Sequence, residues 1–436
     1  MCRTGTSGVG VWRTQNLTPV RERQAANWYN RCPMGTPKTA AVIRTANRMS
    51  TVSYPIRRVV VEARKAEASG RKIHWLNTGD PVHAGFQPPA HIVEAVHKAL
   101  RDGEHGYGPS VGLSEAREAV AAENTARGWP VHADRVVLTS GSSEGIDFVL
   151  TALADPGDEV LVPLPTYPLY TAVLHKIGAR EVYYPTDPKN GWQPDPKEIE
   201  KLITPRTRAL VVNDPNNPTG ASYAQSIRRE LLNIADRHNL PMIADEIYQD
   251  VAFDGPVSPI GSLNPEAPVI SLSGLSKGYL VPGWRTGWLA IGGGDRLKEV
   301  LAAIAKLAEG RLCSTMPMQR AIVAALQGDR SHQPAFRAAL RERAELVYQR
   351  ANAIPGFSST RAIAAFYAMP KFSLPAGKSD SDFIVDLVHA TGVLCVQGSG
   401  FGMKPADGYF RMVTLAPPAQ LNEIWDLIAG FAARYA

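Results

Sequence analysis

From about residue 130 onward, short apolar runs alternate with stretches of helical periodicity, and turn residues separate them. Residues 136–138 read as a strand. They run into a small-residue turn at 139–143 and then a helix with Ile146, Leu150 and Leu153 on one face. A second strand over 159–162 is followed by a Pro/Tyr turn and a helix through Val173 and Leu174, and 181–184 is a third strand. Asp195 stands where an N-cap would for a helix over 196–202, with Glu198 at the capping-box position. The largely apolar runs 209–213, 242–244 and 269–272 read as buried strands, and a helix over 227–238 lies between the first two. Strands alternating with helices predict a mostly parallel sheet covered on both faces. Right-handed crossovers then gather the strand C-termini along one edge, where ligands of open α/β sheets bind.

Beyond about residue 325 the pattern changes. A long helix over 335–353 precedes short strands near 366–369, 393–396 and 410–413 and a terminal helix, which reads as a smaller α+β domain. The expected organisation is a leader over 1–48, an arm over 49–84 that belongs partly to the small domain, a large domain over 85–325 and the small domain over 326–436.

With 436 residues, 44% of them hydrophobic, the chain can bury a sizeable core, and 20% charged residues suit a globular enzyme better than a disordered protein. No apolar run approaches the roughly 20 residues that span a bilayer. The net charge of +6 is local. Residues 1–50 hold eight Lys/Arg against Glu22 alone, and the remaining residues hold 39 basic and 40 acidic groups. A near-neutral body gives no case for a nucleic-acid groove. The leader is basic, rich in Thr and Asn, and free of clear periodicity. It reads as an organellar transit peptide, a disordered leader, or sequence ahead of a start at Met49. The expected location is cytoplasmic, or organellar if the leader is a transit peptide. Cys2, Cys32, Cys313 and Cys395 are scattered without metal spacing and read as free thiols.

The residues with chemistry follow strand ends. Lys277 sits in a Gly/Ser-rich turn after the strand 269–272, among apolar residues that favour a depressed pKa and hence a nucleophilic amine. Arg285, eight residues on, can neutralise a phosphate. Taken alone, Lys277 is equally an ordinary loop lysine. The Asn/Pro turn from Asn213 through Asn217 to Gly220 can aim an amide into a cleft, though by itself it is a plain turn. Asp245, at the end of a buried strand, needs a partner, which a cationic pyridinium or the next helix would supply; Tyr248 is one helical turn on. Ser140, Gly141, Ser142 and Ser143 open a helix and offer backbone N–H groups to an anion. Tyr167, in a Pro-Thr-Tyr-Pro turn, presents either a stacking face or a core aromatic. Together these five segments supply what a phosphorylated pyridinium aldehyde needs.

From about Tyr54 to the C-terminus the sequence resembles the class I/II aminotransferases of the pyridoxal-5′-phosphate (PLP)-dependent transferase fold type I. Within them it resembles the alanine aminotransferase-like branch. The closer likeness rests on the runs from Asn77 to Pro81, from Pro163 to Tyr170, from Arg311 to Cys313 with Pro317, from Val396 to Gly398 and from Tyr409 to Thr414. The resemblance implies Lys277 as the catalytic lysine that holds the PLP aldehyde and Asp245 as partner of the ring nitrogen. It implies Asn217 and Tyr248 on the ring oxygen, Tyr167 stacked on the ring, and Gly141, Ser142, Ser143 and Arg285 on the phosphate. Tyr107 matches a tyrosine that reaches the phosphate from a neighbouring subunit, so a homodimer is implied. Arg411, helped by Asn217 and the backbone near Gly79, would bind the substrate carboxylate. Tyr54 and Arg57 match an element near the start of the alanine-type enzymes, and Arg311 falls where some relatives hold a second carboxylate. Gly274 departs from the family, which often has a phosphate-binding serine there; Ser273 or Ser276 would substitute. The implied activity is ping-pong transfer of an amino group from an L-amino acid, alanine first among them, to a 2-oxo acid, 2-oxoglutarate or pyruvate. A C–S β-lyase on the same fold, and an aspartate- or broad-specificity aminotransferase, are the alternatives. A PLP-sensing regulator would need an N-terminal helix-turn-helix that the leader lacks, and a cofactor-free binding protein would be colourless.

Overall fold

Successive residues of a strand face opposite ways, and here that alternation builds two apolar layers against an eight-stranded sheet. The computed structural model describes residues 43–52 and 54–435, apart from the side chains of Arg57 and Arg58. The expectations for the leader up to residue 42 therefore lie outside the described residues. The chain divides into Met1–Ala46 and Asn47–Ala436, and every element below belongs to the second unit.

The sheet strands are β1 (Val136–Thr139), β2 (Glu159–Leu164), β3 (Arg180–Asp187), β4 (Gln193–Pro194), β5 (Thr207–Asn213), β6 (Met242–Asp245), β7 (Val269–Gly274) and β8 (Gly287–Ile291). Their order in space is β1-β8-β7-β6-β5-β2-β3-β4. β2, β3, β5, β6 and β7 run parallel. β8 is antiparallel to both β1 and β7, so β1 points the same way as β7. The C-terminal ends of β1, β2, β5, β6 and β7 therefore share one edge, as the right-handed crossover rule requires.

One face of the sheet carries Val136, Leu138, Leu161, Leu210, Val212, Met242 and Ala244, covered by the helices Ala90–Arg101, Ser114–Ala126, Gln225–Arg237 and Met316–Gln327. The intervening residues Val137, Val160, Val162, Val211, Ile243 and Ile270 pack against Ser142–Leu153, Pro168–Ile177 and Lys298–Gly310. A third apolar cluster joins both ends of the chain. Ile56, Val59 and Ala63 of the helix Pro55–Ala68 pack with residues of His332–Ala353, Asp380–Thr391 and Pro418–Tyr435. The strand His74–Trp75 pairs in parallel with Val393–Leu394. A three-stranded sheet of Tyr367–Ala368, Phe410–Val413 and Val396–Gln397 carries Arg411.

Local details differ from the sequence expectation. Asp195 does cap its helix, accepting from the Lys197 N–H at 2.9 Å, but the helix is only Pro196–Glu200. Glu198 closes no capping box; it accepts from Lys201 Nζ at 2.6 Å, a charged partner one turn on. The short apolar run Gly287–Ile291 is an unanticipated antiparallel strand inserted between β1 and β7.

Candidate active site

Lys277 follows β7 and reaches back across the strand ends. Its Nζ donates to the Gly79 carbonyl at 2.9 Å and lies 5.3 Å and 5.7 Å from the ring centroids of Phe366 and Tyr248. Part of the side chain opens into a cavity of about 500 Å³. Burial pushes the ammonium pKa down to about 8; Arg411 and Arg285 act the same way, against Asp80 and Asp245.

Asp245 ends β6, in register with Asn213 of β5 and Leu272 of β7. It is 3% exposed. One carboxylate oxygen accepts from the Tyr170 hydroxyl at 3.1 Å and the other from the Ile247 N–H at 3.4 Å. Burial raises its pKa to about 6, although both hydrogen bonds and Lys277 favour the anion. The carboxylate is thus an anion in want of a cation.

Arg411 comes from the three-stranded sheet and is 2% exposed. It donates from Nη1 to Asn217 Oδ1 at 3.0 Å and from Nη2 to the Asn77 carbonyl, while its buried Nε has no partner among the described residues. Tyr367 and Phe401 flank the guanidinium, with ring centroids at 4.7 Å and 4.9 Å. Because Arg411 occupies Asn217 Oδ1, the amide presents Nδ2 as its remaining donor. Asn213 Oδ1, accepting from the Asn217 N–H at 2.8 Å, fixes the turn. Tyr248 and Tyr367 share a hydroxyl–hydroxyl bond of 2.7 Å, as do Tyr54 and Tyr167. Burial raises the pKa of Tyr167 and Tyr248 well above the ordinary phenol value, so both stay protonated donors.

At the end of β1, Gly141 has φ +77° and precedes the helix Ser142–Leu153. A Cβ there would strike the Arg285 guanidinium. Arg285, itself at φ +52°, donates from Nη1 to Pro282 O at 3.1 Å and from Nη2 to Ser140 O at 3.3 Å. A cation and a helix N-terminus thus converge on the cavity wall, a site for an anion. Ser276 lines the cavity and Ser273 does not. A Cβ at Gly274 would sit 2.6 Å from Thr286 O, just ahead of the adjoining strand, so a side chain there would force the backbone to shift.

Of the residues singled out in the sequence, Tyr54, Gly79, Ser142, Ser143, Tyr167, Asn217, Asp245, Tyr248, Ser276, Lys277, Arg285 and Arg411 line this cavity. Tyr107 is 85% exposed and does not line it. Arg311 does not line it either. It donates to Leu138 O at 3.0 Å and Ser110 O at 3.3 Å, pairs with Glu144 at 3.5 Å, and lies over the Phe148 ring. The Arg57 side chain lies outside the described ones. Sequence reasoning gave no role to Tyr170, Tyr367, Asn77 or Asp80. Asn77, Asp80 and Tyr170 lay in family-like runs; the two tyrosines also sit inside a helix and a strand, where an aromatic reads as core.

The residues present fit PLP. A buried carboxylate makes no ion-pair contact among the described residues, a desolvated amine stands in the same cavity, and an arginine at a helix N-terminus is placed for a phosphate.

Residues 71–428 match the family "Aminotransferase class I and II". The chain is 37% identical over 399 residues to an alanine aminotransferase of Mycobacterium tuberculosis, covering 89% of this chain and 92% of that protein. It is 36% identical over 403 residues to the glutamate-pyruvate aminotransferase AlaA of Escherichia coli, covering 90% and 98%. Among solved structures, an alanine aminotransferase from Pyrococcus furiosus superposes with a TM-score of 0.87 at 41% identity, covering 90% of this chain and all of that one.

Proposed function

The chain belongs to the aminotransferase class I and II family and is a PLP-dependent aminotransferase, and from that premise we propose that it moves the amino group of L-alanine to 2-oxoglutarate, or of another donor to pyruvate. The observation that carries the reading is one cavity holding a desolvated lysine, a buried acid and a buried arginine. The alanine preference is supported by the names of the relatives and by Ile56 and Ile247 in the cavity wall, apolar contacts that suit a methyl side chain.

Bound PLP supplies an aldehyde that captures the amino nitrogen and a cationic ring that draws off the electron pair left by the α-proton. With PLP bound, Lys277 would hold its aldehyde, and its Nζ, when free, would take the substrate α-proton as general base. A pKa near 8 leaves part of this amine unprotonated at neutral pH, where an ordinary lysine is almost wholly charged. Asp245, anionic above about pH 6, holds the ring N–H. Asn217 Nδ2 and the Tyr248 hydroxyl would donate to the ring oxygen, and Tyr167 would stack on the ring. Gly141, Ser142, Ser143, Ser276 and Arg285 take the phosphate. Arg411, held by Asn217 and the Asn77 carbonyl, fixes the substrate α-carboxylate with the backbone near Gly79. Tyr54, which lines the cavity, would contact the substrate, and the resemblance gives Arg57 the same part. Arg311, engaged at Leu138, Ser110 and Glu144, is left out of it.

The same proposal includes a homodimer in which the exposed Tyr107 reaches the partner's phosphate site, and a division into residues 49–84, 85–325 and 326–436. A cytoplasmic location is supported by the bacterial relatives. The test is a panel of amino donors against pyruvate and 2-oxoglutarate. L-alanine with 2-oxoglutarate should give the highest kcat/KM. Ammonia and pyruvate formed without an oxo-acid acceptor would make the protein a β-lyase, and a higher kcat/KM for aspartate would overturn the alanine preference.

A further inference from the structure

Tyr367 has no part in the assignments above, yet it touches three of them. It is 3% exposed, and its ring centroid lies 4.7 Å from the Arg411 guanidinium. Its hydroxyl is the atom that a Cβ at Gly79 would strike, and Gly79 carries the carbonyl that accepts from Lys277. The rings of Tyr367 and Tyr248 meet edge to face with centroids 5.6 Å apart, and their hydroxyls are 2.7 Å apart. Among the described residues Tyr248 is the only hydrogen-bond partner of the Tyr367 hydroxyl.

Two hydroxyls in one hydrogen bond hold two protons, and the distance alone lets either one donate. An anionic oxygen in the cavity decides the direction. A hydrogen bond to a charged acceptor is about twice as strong as a neutral one, so Tyr248 turns its proton to the anion. Tyr367, with no other acceptor among the described residues, then donates to the Tyr248 oxygen. Each bond in such a chain polarises and strengthens the next.

We propose that Tyr367 is a positioning residue of the transamination site: its hydroxyl donates to Tyr248 and so directs the Tyr248 proton at the anionic ring oxygen of PLP, while its ring carries the Arg411 guanidinium. This rests on the reading of Tyr248 as a donor to that oxygen.

The experiment is a pH titration of the visible absorbance of the PLP-loaded protein for Tyr367→Phe, Tyr248→Phe and the double variant. A donor on the ring oxygen weakens that oxygen's hold on a neighbouring proton, so removing the donor moves the titration midpoint to higher pH. Tyr367→Phe should move it up by about half a unit, the worth of one weakened hydrogen bond. Tyr248→Phe should move it further, and the double variant no further than Tyr248→Phe alone. The turnover number of Tyr367→Phe should fall about 3- to 10-fold, with the KM for alanine held because the ring still packs on Arg411. Tyr367→Leu, which removes the ring as well, should also raise that KM. An unmoved midpoint in Tyr367→Phe, or additive shifts in the double variant, would overturn the proposal. Equal rises in KM for the Phe and Leu variants would reduce Tyr367 to cavity packing and overturn it too. An unmoved midpoint in Tyr248→Phe overturns the assignment of Tyr248 itself, and the proposal with it.

Discussion

At the residue scale, Lys277 and Asp245 are both pushed towards neutrality by burial, the lysine down to about 8 and the acid up to about 6. PLP capture needs the free amine. Its rate in the PLP-free protein should therefore climb as pH passes through about 8 and level off above it, as stopped-flow absorbance would show; a rate flat across that range contradicts the depressed lysine. Asp245 acts on stability with the opposite sign from most carboxylates. Between the unfolded value of 3.8 and the folded value of about 6 the folded chain binds the extra proton. Stability therefore falls as pH rises through that window and stays lower above it. The penalty is about 3 kcal/mol at most. Asp245→Asn removes it, so the PLP-free variant should resist urea better than PLP-free wild type at pH 8, and the two should converge near pH 4. The same variant should hold PLP more weakly. If its urea midpoint at pH 8 is no higher than wild type, Asp245 is not a strained anion.

At the scale of elements, the site is built from turns that leave parallel strands, and this made much of it legible in the sequence. Lys277, Asp245, Asn217, Gly141 and Tyr167 each follow an apolar run ending in turn residues, so their placement at one edge followed from the alternation of strands and helices. Tyr170 and Tyr367 escaped because their hydroxyls look identical, in sequence, to those of core aromatics. The strand Gly287–Ile291 escaped because five apolar residues after a turn carry no period, and only its pairing with β1 and β7 defines it. Gly141 gives the sharpest test at this scale. At φ +77°, with its missing Cβ facing Arg285, Gly141→Ala must strain the turn or displace the guanidinium. Such strain is worth about 1–3 kcal/mol, so the PLP dissociation constant should rise about 5- to 150-fold. Far-UV circular dichroism should not change, and unaltered PLP affinity would separate Gly141 from the phosphate site.

At the scale of the whole molecule, residues far apart in sequence meet at the sheet edge. Tyr54, Asn77 and Gly79 come from the first described elements, and Arg411 from a small sheet near the end, within an apolar cluster that both ends share. The change of pattern near residue 325 exposed the late helices and short strands. The pairing of His74–Trp75 with Val393–Leu394 was not legible, since two-residue strands carry no recognisable period. This assembly predicts a division of labour. Arg411→Lys keeps a charge but loses the planar fork. It should lower kcat/KM for alanine at least about 10-fold and disturb the visible spectrum of the PLP-loaded protein far less, because Arg411 itself holds substrate and reaches the cofactor only through Asn217. A spectrum altered as much as the rate would contradict that separation.

The account depends most on the identity of the amine that holds the PLP aldehyde. Borohydride reduction of the PLP-loaded protein, followed by peptide mass spectrometry, locates it directly. The pyridoxyl phosphate group is predicted on Lys277 alone, and Lys277→Ala should carry none and lose at least about 100-fold in rate. A label on another lysine, or a Lys277→Ala protein that still transaminates at the wild-type rate, would contradict the account.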